Sequence, residues 1–251
     1  MIHLRFALIA ALLSLAQPCE AALSVVTLGS AHGTAATTRA LTTATNDCPI
    51  GSLIVAETAN VTIIDTLSSV VDSAGNTWQT PIDNLSGTGI GIGWAYAVNS
   101  TVDLPIGGTI TATFSGSTTS ALSAVCIGGA ATSSPLDVHN QSANGLAASS
   151  ATTVNSGTLS QANEILLGGL NTATTSGTVT CGGSFTKTNA GASATPNPTI
   201  CTLIVAATTS VAFSPTWTTS PNYITDLISF EAPGGVAATP GSPLTAIGVG
   251  P

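Results

Sequence analysis

The chain has 251 residues, only 6% of them charged, and a formal net charge of −8, where an average soluble domain is about 25% charged. Past residue 21 the only Lys or Arg side chains are Arg39 and Lys187, set against ten acids, so there is no basic patch to hold phosphates and nucleic-acid binding is excluded. Such a surface must stay hydrated through Thr, Ser and Asn, and the same shortage of charge leaves little repulsion between sheet edges.

Residues 1–21 carry the three parts of a secretory signal: Arg5, an apolar run over 6–16, and the small-residue end Cys19-Glu20-Ala21, with cleavage expected after Ala21. That run is shorter than the ~20 residues a spanning helix needs, and no later stretch supplies one, so no membrane span is expected. Lipid attachment at Cys19 is disfavoured because Pro18 stands where a small residue is required. Export to the cell surface or beyond leaves Cys48, Cys126, Cys181 and Cys201. An even number in an oxidising compartment implies two disulfides, in one of three connectivities. Cys181 and Cys201 bracket a Gly/Ala/Pro/Asn-rich loop between two strand-like runs, which favours pairing them and leaves Cys48 to Cys126; four buried thiols are the alternative.

Strand patterns then follow one another. Residues 23–29 read as a first strand, and 30–48 as a Thr/Ala-rich stretch too diluted in helix formers to be assigned a helix. Residues 51–58 are apolar between turn residues, as in a strand buried on both faces. In 70–78, two β-forming ends flank Ser73-Ala74-Gly75-Asn76, which reads as a hairpin whose turn is held by Asp72 and Asn76. Over 90–98 the larger side chains Ile90, Ile92, Trp94, Tyr96 and Val98 recur at period two and share one core-facing side. Residues 109–115 repeat the device, 121–128 form a further buried run, and Ser115-Gly116 marks a turn between them. A polar crossing over 135–152 leads to strand patterns at 163–170, 179–186, 200–207, 210–216 and 223–230. The fold class is therefore all-β, a two-sheet antiparallel β-sandwich in one domain over 22–232, followed by a Pro/Gly-rich disordered tail over 233–251.

Motifs that would carry chemistry are scarce. Gly87, Gly89, Gly91 and Gly93 run into a strand rather than open a helix, so they read as structural and not as a phosphate loop. His32 and His139 have no second ligand at zinc spacing. His139, Asp137 and a serine would make a triad only on paper, because no Gly-x-Ser-x-Gly elbow is present. Glu57, Glu164 and Glu231 lie in or beside strands, and the sequence alone brings no pair together as a glycosidase needs. Among the turn acids, Asp72, Asn76 and Asp83 are candidates for a Ca²⁺ site, with local turn capping the plainer reading. Trp78 and Trp217 lie nearer turns than Trp94 and are the candidates for an exposed platform that stacks on a sugar ring.

The stretches Asp72-Ser73-Ala74-Gly75-Asn76-Thr77-Trp78, Trp94-Ala95-Tyr96, Pro135-Leu136-Asp137 and Ala162-Asn163-Glu164-Ile165-Leu166-Leu167, with the late Trp217, form a pattern. It resembles uncharacterised bacterial and phage-associated exported proteins with lectin-like jelly-roll sandwiches of the concanavalin/laminin-G type. The resemblance implies a jelly-roll topology and a non-catalytic module, glycan-binding or adhesive. It carries over no ligand residue, because its motifs are turn and core positions. A structural subunit that associates through its uncharged edges is the competing expectation, with a polysaccharide hydrolase third.

Overall fold

The computed structural model describes residues 22–62, 65–87, 89–99, 102–174, 177–190 and 195–234. The expected signal, and all but 233 and 234 of the expected tail, lie outside these residues. The N-terminal half contributes β1 (Ser24–Thr42), β2 (Leu53–Asn60), β3 (Leu67–Asp72), β4 (Trp78–Gly87), β5 (Ile90–Val98) and β6 (Thr109–Gly128). The C-terminal half contributes β7 (Gln141–Gly145), β8 (Val154–Asn155), β9 (Glu164–Thr172), β10 (Val179–Thr180), β11 (Thr186–Ala190), β12 (Thr199–Val205), β13 (Ala212–Phe213), β14 (Thr216–Trp217) and β15 (Tyr223–Glu231). No helix occurs among the described residues, hence none long and apolar enough to cross a membrane.

One antiparallel sheet has the order β1-β6-β2-β5-β4 with β3 also on β6, and the second has the order β11-β12-β9-β15-β7. They pack face to face. The side chains that alternate onto one face of β5, Ile90, Ile92 and Trp94, meet Ile165, Leu167, Ile228 and Phe230 of the second sheet in a shared core. Tyr96 lies edge-on to Phe230 with ring centroids 5.3 Å apart. The first sheet consists entirely of β1 to β6 and the second entirely of later strands, so the chain crosses between them once, over 129–140. A jelly roll sends strands repeatedly from sheet to sheet. The sandwich is as expected, but that connectivity is not found.

Each sheet also buries its outer face. Leu28, Leu41, Ile54, Ile110, Phe114 and Leu122 form a second core in the N-terminal half, and Val154, Leu166, Phe185, Phe213 and Leu227 form a third in the C-terminal half. This is why β2 and β9 read as continuous apolar runs: every residue of both is buried. A disulfide sits in each outer core, Cys48–Cys126 with Cα atoms 5.5 Å apart and Cys181–Cys201 at 5.9 Å, which is the favoured pairing.

Three local expectations change. β1 extends through the unassigned 30–42, and β6 continues through Ser115-Gly116 where a turn was expected. The two strands bend together, with register slips between Gly33, Ala36 and Thr38. Gly116 serves a close approach, since a Cβ on it would stand 2.0 Å from Asp65 Oδ1. The segment 70–78 does form a turn, with Gly75 at φ +77°. It is not a hydrogen-bonded hairpin, because β3 pairs with β6 whereas β4 pairs with β5.

Candidate functional site

A polar row crosses the core between the sheets. Glu57 on β2 is the direct partner of Trp94 on β5 and of Ser123 on β6, and Trp94 is in turn the partner of Asp83 on β4. Strand alternation therefore turns all four inward, onto the layer that holds Val55 and Val125. On the facing sheet Asp226 pairs with Gly169. A Cβ on Gly169 would stand 3.1 Å from Glu57 Oε1, which places the two sheets' polar residues against one another. Glu57 and Asp226 have no accessible surface.

The hydrogen bonds of this row run out inward. Asp83 Oδ2 accepts the backbone N–H of Asn140 at 2.7 Å, and its Oδ1 lies 3.1 Å from His139 Nδ1. Asp226 Oδ1 accepts the N–H of Leu227 at 2.9 Å. Both Glu57 oxygens, Trp94 Nε1 and Ser123 Oγ find no partner among the described residues. Burial lifts the Glu57 carboxyl well above the ordinary carboxylate range. Burial foremost, then the charge of Asp83 and lastly that of Glu57, lift Asp226 in the same direction, while the Leu227 N–H opposes them.

A second group of acids lies at the end of β9 and β15. Glu164 and Glu231 are direct cross-strand partners, and one oxygen from each and from Asp137 lie within 4.8 Å of one another. These three carboxylates are the described residues able to hold a metal ion together. All three already have protein donors. Glu164 accepts Ser229 Oγ–H at 2.8 Å and the Gln161 N–H at 3.2 Å, Asp137 accepts the Ser160 N–H at 2.9 Å, and Glu231 accepts Ser160 Oγ–H. Burial first, with the charge of Asp137 adding to it, pushes Glu164 up to about 7 against the pull of its hydrogen bonds. A raised carboxyl beside a second acid resembles the pair of a glycosidase. Glu164, however, has no accessible surface, so no glycosidic oxygen can reach it.

The residues singled out in the sequence are placed differently. Asp72 caps its own turn: Oδ1 accepts the N–H groups of Ala74 at 2.8 Å and Asn76 at 3.3 Å, and Oδ2 accepts Trp78 Nε1–H at 2.7 Å. Asp83 belongs to the inter-sheet row while Trp78 packs on the outer core, so Asp72, Asn76 and Asp83 do not converge on a Ca²⁺ ion. Trp217 is buried, donates Nε1–H to the carbonyl of Ala148 at 2.7 Å, and packs on Tyr223 with centroids 5.2 Å apart. It offers no open face to a sugar, and Trp78 is half-buried. His139 meets Asp83 and not Asp137. The glycines are structural as expected: Gly89 takes φ +85° in the β4–β5 turn, and Gly91 lies against the Asn60 side chain. An open depression of about 390 Å³ is lined by Ser184, Lys187, Thr188, Thr202 and Ile204, among others. Sequence reading missed the Glu57–Asp226 juxtaposition, although an acid inside a strand expected to be buried on both faces was a flag for it.

No family model, curated protein or solved structure matches the chain.

Proposed function

We propose that the chain is an exported, non-catalytic sandwich that works outside the cell or at its surface as a structural subunit of a filament, appendage or virion. The observation that carries this reading is an exposed apolar group at one end of the first sheet. Ile50, Val102 and Ile106 are 55%, 54% and 60% exposed, on two loops tied together by the Cys48–Leu104 bridge and by the Ile50 N–H to Asp103 Oδ1 bond at 2.8 Å. The Cys48–Cys126 disulfide anchors the first loop. A rigid apolar group on a surface with few charges suits contact with another subunit. Sedimentation velocity over a wide concentration range tests it: the mature chain should self-associate, and Ile50→Ser with Val102→Ser and Ile106→Ser should leave a monomer. A wild type that stays monomeric throughout removes this reading.

The lectin-like resemblance supports a second reading, a glycan-binding or adhesive module, for which the half-buried ring of Trp78 is the remaining candidate surface. A glycan array on which Trp78→Ala binds as well as the wild type would count against it.

A further inference from the structure

Asp83 lies on β4, an edge strand of the first sheet, and both its contacts with His139 and Asn140 reach the segment entering β7, an edge strand of the second. One carboxylate thus ties two sheet edges along one side of the sandwich. Behind it, away from solvent, stand Asp226 of β15 and Glu57 of β2. His139, whose side chain is 42% exposed, is the basic side chain that this group of acids meets among the described residues. The other strands packed on the row bring no charge: β5 presents Trp94, β6 Ser123, β9 Gly169 and β7 Ser142.

We propose that Glu57, Asp226, Asp83 and His139 form a pH-operated latch, closed in mild acid and released as the pH rises, that controls whether the β4 and β7 edges stay together. While Glu57 and Asp226 keep their protons they set no charge against Asp83, whose carboxyl holds the Asn140 N–H and lies against His139 Nδ1. Raising the pH removes protons from Glu57 and Asp226, which have no accessible surface through which solvent could take up the charge. Like charges on Glu57 and Asp226 then face one another across the sheets behind Asp83, and the repulsion is relieved by parting the edge that Asp83 ties. The direction follows from linkage. Acids with raised native pKa values hold protons that the unfolded chain has already released, so their contribution to stability falls as the pH climbs above the ordinary carboxylate range. Freed edges would expose unpaired backbone groups of β4 and β7 to another strand.

Amide hydrogen exchange on the mature chain at pH 5 and pH 8, corrected for intrinsic rates, tests this. Protection in β4 and β7 should fall about tenfold or more at pH 8, the equivalent of one pKa unit, while β9 keeps its protection. Asp226→Asn should preserve the β4 and β7 protection at pH 8, and Glu57→Gln should do so in part. Equal protection at both pH values, or a loss spread evenly over all strands, overturns the latch. So does an Asp226→Asn protein that loses β4 and β7 protection as the wild type does. Should Asp226→Asn fail to fold, Glu57→Gln and the strand-by-strand pattern of the wild type decide.

Discussion

Trp94 occupies the space that a side chain on Gly169 would need: a Cβ there would stand 2.6 Å from Trp94 Cζ2 and 2.8 Å from Ile92 Cδ1. Gly169 is thus the point where the second sheet lets the largest side chain of the first reach across the core. Gly169→Ala should destabilise by about 1–3 kcal/mol, the usual range for overpacking a tight interior. Gly168→Ala should behave likewise from the other face, where its Cβ would meet the Phe213 ring at 2.6 Å. Urea denaturation of both variants checks this, and a loss confined to one of them would show that only one face is closely packed.

The two disulfides should differ in worth. Cys48–Cys126 closes a separation of 78 residues and Cys181–Cys201 one of 20. Loop-closure entropy then assigns about 4–5 kcal/mol to the first and about 3 kcal/mol to the second. Paired Cys→Ser variants should rank in that order in equilibrium unfolding, and the reverse order would place the difference in native packing.

Glu164 gives a pH dependence of its own. Its native value of about 7 stands above the ordinary 4.5, so the folded protein binds the proton more tightly than the unfolded chain does. The associated stability is complete below about pH 4.5 and is lost as the pH rises through 7. Glu164→Gln should flatten the fall in Tm over that window relative to the wild type. An unchanged slope would mean that Glu164 is already ionised in the folded protein.

Trp78 should prove to be a brace for its turn. Trp78→Phe keeps the ring but removes the Nε1–H bond to Asp72, and a hydrogen bond to a carboxylate contributes about 1.5–3 kcal/mol. Thermal unfolding should show that loss. Asp72→Ala should cost more, because it also strands the turn N–H groups of Ala74 and Asn76.

Much of the architecture is legible in the residues. The period-two run Ile90, Ile92, Trp94 gives the inner face of β5 directly, and the loop composition between Cys181 and Cys201 gives their pairing. The extent of β1 and β6 is hidden, because Ser and Gly in the middle of a bent strand look like a turn; only the partner strand reveals that hydrogen bonding continues. Trp217 looks exposed by its neighbourhood of Ser, Pro and Thr, yet the segment at Ser149 pairs with its backbone and Ala148 accepts its indole N–H. The acid row is the least legible feature. Whether Glu57 meets Asp226 depends on how two separately paired sheets are laid on one another, and local patterning says nothing about that offset.

The single passage over 129–140 also sets how the molecule bears a mechanical load. Each disulfide lies within one half, and none joins the two sheets. Tension entering through β1 and leaving through β15 is therefore opposed by the apolar contact between the sheets and by hydrogen bonds across it, such as Asn171 to the Gly91 carbonyl and Asn189 to the Gly29 carbonyl, with no covalent staple. Once the sheets peel apart, the two cystines cap how much chain each half can pay out, so the molecule would act as an extensible link with two built-in stops.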